Sequence, residues 1–129
     1  MSIQKKQEPF SIRKRLHSFT YAIKGVLLLF KEHNAQIHLA AAIISVMLGI
    51  ILCISTFEWI IIILLIGIVL AAEAANSALE RLADKISLNH HHLLGEAKDL
   101  AAAAVLFCAT AAAIIGTIIF LPKIIKLIF

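Results

Sequence analysis

The sequence predicts an all-α integral membrane protein, with an N-terminal amphipathic surface helix followed by three transmembrane helices. Three observations predict it. The 129-residue chain is 61% hydrophobic, with a mean hydropathy of +0.96. Ordinary globular domains are about half apolar, so a soluble domain of this size has nowhere to hide the excess. Three long uncharged runs follow one another. Seven of the twelve Lys and Arg residues precede Glu32 (Lys5, Lys6, Arg13, Lys14, Arg15, Lys24 and Lys31), a bias typical of one membrane face. The length is that of one domain, so residues 1–129 are taken as a single membrane domain.

Residues 1–9 are polar, include Pro9 and read as a flexible tail. They do not read as a cleaved signal peptide, because the lead is long and charged and no small-residue cleavage site follows a short apolar core. The surface helix is placed at about residues 10–33. In it Phe19, Ile23, Val26, Leu27 and Phe30 recur at helical spacing among Arg13, Lys14, Lys24 and Lys31. Such a helix suits a membrane surface with anionic head groups; a helix packed on the protein's own soluble side is the alternative.

Residues 39–57 are uncharged for nineteen positions, 59–72 for fourteen and 100–121 for twenty-two. A hydrocarbon core of ~30 Å takes about 20 helical residues, so spans are placed at about 37–57, 59–82 and 99–121. Pro122 closes the last of these. Backbone groups in lipid must be satisfied within the segment, which makes helix the conformation for all three. The short link at Glu58 makes the first two spans an antiparallel hairpin. With a cytoplasmic N-terminus, ten basic residues lie inside (the seven above with Arg81, Lys85 and Lys98) and two, Lys123 and Lys126, lie outside. The expectation is a multi-pass protein of the inner (plasma) membrane with its N-terminus in the cytoplasm.

Several classes of chemistry lack their residues. Cys53 and Cys108 sit in apolar runs and read as small apolar side chains rather than a disulfide. His90, His91 and His92 in "NHHH" are too closely spaced for one helical face and make a poor zinc site. No Walker A or Gly-rich nucleotide loop is present. No nucleic-acid partner is expected.

The informative stretch is "AAEAANSALERLADKI", residues 71–86. At ~100° per residue, with Glu73 at zero, Ser77 falls at about +40°, Glu80 at about −20°, Asp84 at about +20° and Asn76 at about −60°. A polar stripe therefore starts within the second span and runs out of its cytoplasmic end. A helix end turning polar for solubility would account for Arg81, Asp84 and Lys85. It accounts poorly for Glu73, which sits about 21 Å along its span at ~1.5 Å per residue. A carboxylate inside hydrocarbon is costly and marks function. Glu73 and Glu80 repel unless a cation is near, and Mg²⁺ takes a few carboxylates together with phosphate oxygens. Lys98 and Asp99 stand at the N-terminus of the third span, where backbone amides attract phosphate; an N-cap and an interfacial anchor would be the plainer reading of the pair. "KEHNAQIH", residues 31–38, adds Glu32, Asn34, Gln36 and His38 just before the first span. Cation or phosphate chemistry at the inner membrane face fits these residues, with a structural or transport role as its rival.

Glu73, Asn76, Ser77, Ala78, Leu79, Glu80 and Asp84, then thirteen residues, then Lys98 and Asp99, fit the pattern E-x-x-N-[ST]-A-[IL]-E-x-x-x-D…K-D without a gap. The chain thus resembles the small prokaryotic integral-membrane lipid kinases, the diacylglycerol kinases and undecaprenol kinases, from "FTYAIKG" at residues 19–25 through the third span. The resemblance implies ATP-dependent phosphorylation of a membrane lipid alcohol, undecaprenol or 1,2-diacylglycerol, by a homotrimer with sites shared between subunits. It implies Glu73 as the catalytic base, Glu32 and Glu80 as ligands of Mg²⁺, and Asn76, Ser77, Lys98 and Asp99 as substrate or nucleotide contacts. Such roles are physically coherent: phosphoryl transfer needs positioning and charge neutralisation, and three helices enclose so little volume that clefts between subunits must complete a pocket. A few residues of "EHNAQIH" resemble the undecaprenol kinase branch more than the other. The histidine triple is richer than the family pattern and has no assigned role. The rival class is a small non-enzymatic membrane transporter or scaffold protein; a proton-coupled exporter would want one lone Glu near mid-membrane, whereas here the acids cluster toward one end.

Overall fold

The structure, a computed structural model, describes residues 11–86 and 92–129. The expected tail at residues 1–9, and His90 and His91, lie outside the described residues. Within them the chain forms four helices: α1 (Ile12–Leu29), α2 (His33–Ile51), α3 (Thr56–Ile86) and α4 (His92–Ile128). The last three are long and apolar enough to cross a membrane.

α1 starts where extended Ser11 turns its hydroxyl to the amide of Lys14, at 3.4 Å. It stops at Phe30, short of the expected residue 33. The next residues, Lys31, Glu32, His33 and Asn34, offer nothing to prolong the apolar pattern of α1, and Glu32 takes an extended conformation from which α2 begins. Side-chain Nε2 of Gln36 donates to the carbonyl oxygen of Phe30 at 3.1 Å and holds this elbow. α2 therefore begins four residues before the expected start of the first span.

The α2–α3 hairpin is closed by two capping devices. The amide of Ile54 donates to the Gly49 carbonyl and that of Cys53 to the Ile50 carbonyl, with Cys53 in the left-handed region at φ 49°. This is the Schellman arrangement, which satisfies the last free carbonyls of a helix. Ser55 and Glu58 then cap α3 reciprocally. The Glu58 amide donates to the Ser55 hydroxyl at 3.3 Å, and the Ser55 amide donates to the Glu58 carboxylate at 2.7 Å. That S-x-x-E capping box is the start signal of α3.

α4 is longer than the expected 99–121 at both ends, and Pro122, expected to close it, lies inside it. Proline removes one amide from the ladder. Here the turn is held on both sides, by buried Ile119 and Phe120 before it and by an ion pair of Lys123 with Glu58 at 3.2 Å after it.

α3 is the central helix, packed along α4 and against α2 and α1. The tightest packing is at the hairpin end, where Ile54, Ile62, Ile119 and Phe120 form the buried cluster with Trp59, Ile115 and Ile124 against it. Gly49 is required there, since a Cβ would stand 2.8 Å from the Trp59 ring. No more than 17% of any spanning segment is buried. Large apolar side chains such as Ile43, Ile60, Ile63, Phe107 and Ile118 point outward along the spans, the pattern of a surface meant for lipid or further copies of the chain.

Candidate active site

The buried face of α3 runs through Ile62, Val69, Glu73, Asn76 and Ala83. The polar stripe is thus the continuation of the apolar packing face and looks into the bundle. Glu73 is 2% exposed and Asn76 5%, and among the described residues they alone are buried polar or charged side chains. The stripe is graded along the helix: Glu80 is half-buried and Asp84 exposed. A helix end that became polar for solubility alone would turn these groups outward.

Asn76 Nδ2 donates to the Glu80 carboxylate at 3.1 Å. Asn76 Oδ1 is buried with no hydrogen-bond partner. A buried acceptor without a partner carries a desolvation penalty of about 1–3 kcal/mol. Glu32 and Glu80 lie within electrostatic reach of Glu73, as does His38. Three carboxylates carried by the α1–α2 elbow and α3 therefore converge at the polar end of the bundle.

The cations near them are occupied. The Arg81 guanidinium donates to the Glu32 carboxylate, forty-nine residues away in sequence. Lys98 Nζ donates to Asp84 at 2.9 Å and ties α4 to α3. Lys98 is also within electrostatic reach of Glu80. The expected helix N-terminus at Lys98 and Asp99 is not there. α4 begins at His92, so the amides of both residues are inside the helix and unavailable to a phosphate. The side chain of Lys98 still reaches the acidic stripe, while Asp99 is exposed. Ser77 lines a separate, mostly apolar crevice between α1 and α3, with Gly25, Leu28 and Arg81. His92 pairs with Glu96 at 3.4 Å on the open surface.

Below Glu73, a crevice of about 170 Å³ opens between α2, α3 and α4. Ile66, Val69 and Leu70 of α3, Ala109, Ala112 and Gly116 of α4, and Ala41, Ala42 and Ser45 of α2 line it. His38, within electrostatic reach of Glu73, lines it too. Two participants were not legible as such. Arg81 sits at about +80° from Glu73 on the helical wheel, a flank position that gives no sign of a partner on a distant elbow. His38 reads in sequence as polarity just before the first uncharged run, and its nearness to Glu73 comes from the packing of α2 against α3.

Among the described residues no group of three metal-ligating side chains is preassembled. The donors at hand, Glu32, Glu80 and the free Asn76 oxygen, are all hard oxygen ligands, and Mg²⁺ typically takes one or two carboxylates with phosphate oxygens and water completing its shell. The donor set fits magnesium brought in with a nucleotide and does not suit a soft metal.

Residues 20–120 match the family described as prokaryotic diacylglycerol kinase. The undecaprenol kinase of Bacillus subtilis (strain 168) is 43% identical over 108 residues, covering 83% of this chain and 88% of that protein. The diacylglycerol kinase of Synechocystis sp. (strain ATCC 27184 / PCC 6803 / Kazusa) is 33% identical over 114 residues, covering 87% of this chain and 65% of that one.

Asn76 provides a direct check on the site's internal balance. Asn76→Ala removes the donor to Glu80 but also the unpartnered Oδ1, so the two effects oppose and stability is expected to change by no more than about 1 kcal/mol. Asn76→Asp keeps the shape but sets a second negative charge against Glu80, and is expected to cost more at neutral pH. Thermal unfolding of each variant in detergent micelles, at neutral and at acidic pH, checks the order: the gap between Asp and Ala should narrow as the carboxylates protonate.

Proposed function

The chain belongs to the prokaryotic diacylglycerol kinase family, and from that premise we propose that this lipid kinase transfers the γ-phosphate of ATP to undecaprenol at the cytoplasmic face of the inner membrane. The observation that carries the reading is Glu73: a carboxylate 2% exposed, on an apolar helix, one turn beyond Val69 and Leu70, which line a mostly apolar crevice. The undecaprenol kinase from Bacillus subtilis, at 43% identity over most of both chains, supports that acceptor over diacylglycerol. The bias of basic residues supports a cytoplasmic N-terminus, and nothing favours a transporter or scaffold.

In this mechanism the acceptor lies with its chain in the crevice and its hydroxyl at Glu73. Glu73 accepts the hydroxyl proton as the oxygen attacks the γ-phosphorus. The new P–O bond forms as the bond to the β–γ bridging oxygen breaks, and ADP departs with that electron pair. Glu32 and Glu80 would hold magnesium, whose chemistry is to neutralise charge on the β- and γ-phosphate oxygens. Asn76 keeps Glu80 aligned and offers its free oxygen to the incoming substrate. Lys98 is positioned to meet phosphate by exchanging Asp84 for it, and Asp99 and Ser77 border the same end as nucleotide or substrate contacts. One chain is too thin to surround both substrates, so the working unit is a homotrimer, with the exposed apolar faces of the spans partly covered by neighbouring copies.

Glu73→Gln preserves shape and removes the base. It is expected to lower turnover by ~10²–10⁴ while the helical content and ATP affinity stay near wild type. A Gln variant with more than about a tenth of the wild-type rate contradicts the role. For the acceptor, purified protein in mixed micelles with Mg-ATP and equal surface fractions of undecaprenol and diacylglycerol is expected to act on both. A fitted apolar groove discriminates by only ~1–3 kcal/mol per methylene group. kcat/KM should be higher for undecaprenol; a tenfold preference for diacylglycerol overturns the choice of acceptor and leaves the kinase reading intact.

A further inference from the structure

We propose that Arg81 is the resident counter-ion of Glu32, standing in the metal-free protein where a divalent cation would stand and giving way when that cation arrives. The inference rests on the reading of Glu32 as a metal ligand, and three observations carry it.

Glu32 is the N-cap of α2, yet its side chain makes no capping hydrogen bond. The usual work of a residue at that position is to satisfy the free amides of the first turn. Glu32 instead turns to the guanidinium of Arg81 on α3. Second, its place puts it within electrostatic reach of Glu73, as Glu80 also is. A third carboxylate beside two others is unfavourable without a positive charge between them. Among the described residues, Arg81 is the cation paired with Glu32, whereas Lys98 is held by Asp84. Third, the elbow carrying Glu32 is fixed by backbone bonds from Lys31 to Leu28 and from Glu32 to Leu29, and by the Gln36 side chain on the Phe30 carbonyl. The exchange of partner is therefore a side-chain rotation, with no movement of the helices.

The pair is well suited to exchange. The Glu32 and Arg81 side chains are 39% and 53% exposed, so water screens them, and such a pair contributes little net stability. It keeps Glu32 from being driven away by its acidic neighbours and yields at small cost to a divalent ion. The freed guanidinium would then be available to an anion, which its planar fork is suited to meet.

The test uses the full-length protein in micelles without nucleotide, with manganese(II) as the probe and its free ion counted by electron paramagnetic resonance. Arg81→Gln is expected to tighten manganese binding by about two- to fivefold, the span an exposed ion pair can contribute. Glu32→Gln alone should weaken binding, and in that background Arg81→Gln should have no further effect. Lys85→Gln, which removes a cation one turn further along α3, should change affinity less than twofold. Arg81→Lys, which keeps the charge, should stay close to wild type. Helical content and unfolding midpoint are followed in each variant, and manganese should restore any midpoint lost by Arg81→Gln in chelator. Unchanged or weaker binding in Arg81→Gln overturns the proposal. So does equal tightening in the Glu32→Gln background, which would mark a general field effect. If Glu32→Gln leaves manganese binding untouched, the metal role of Glu32 fails and the proposal falls with it; weakening by Glu32→Gln with no effect of Arg81→Gln defeats the counter-ion alone.

Discussion

A carboxylate buried on an apolar helix is the constraint around which this molecule is arranged. Glu73 is almost without solvent contact, and hydrocarbon gives it no water to replace. The neighbouring groups are arranged accordingly. Asn76, one turn on, spends its amide on Glu80 and leaves its oxygen free. Glu32 is brought from a separate elbow and held by Arg81, and Asp84 is held by Lys98. Apart from Glu73, each acidic group along the stripe has a partner that a substrate or cation can replace. The result is a charged site that is stable when empty and organised to exchange its internal partners for external ones.

Packing is divided in a way that serves the same end. The hairpin end is tight, with a Schellman turn at Cys53, a capping box at Ser55 and Glu58, the Trp59 ring against Gly49, and Phe120 in the buried cluster. The middle of the bundle, next to that cluster, is lined by alanines and glycine on α2 and α4 and remains open as a crevice. Small residues leave space only if the backbone frame is held elsewhere, and the locked hairpin and the bond from Lys123 to Glu58 hold it. An acceptor chain in the open part would lie against Ile62, the residue the crevice shares with the packed hairpin core.

Much of this was legible in the sequence because α3 is one uninterrupted helix from Thr56 to Ile86. A constant ~100° step then places Glu73, Asn76, Glu80 and Asp84 on one face without tertiary information. The three spans were legible from their uncharged runs. The ends were less so. Residues 92–98, with Gly95 and two charges, look like a loop, yet Gly95 has open space around it and the helix runs through. Pro122 looks like a stop, and neighbouring packing overrides it. The capping box of Ser55 and Glu58 was present as a motif, but Glu58 reads first as a polar interruption between spans. The pairing of Glu32 with Arg81 was not legible at all, since it depends on how tightly the chain turns at Phe30 and brings two distant segments together.

The central claim is spatial: the reacting end of a membrane-embedded alcohol comes to Glu73 through the crevice between α2, α3 and α4. A polyprenol carrying a diazirine beside its hydroxyl, photolysed with the protein in lipid nanodiscs and mapped by mass spectrometry, tests it directly. The account predicts label concentrated on α3 around Val69, Leu70 and Glu73 and on α2 around His38, and competed away by unlabelled undecaprenol. Label confined to the hairpin end, around Trp59 and Phe120, or spread along the outward apolar faces without competition, would contradict it.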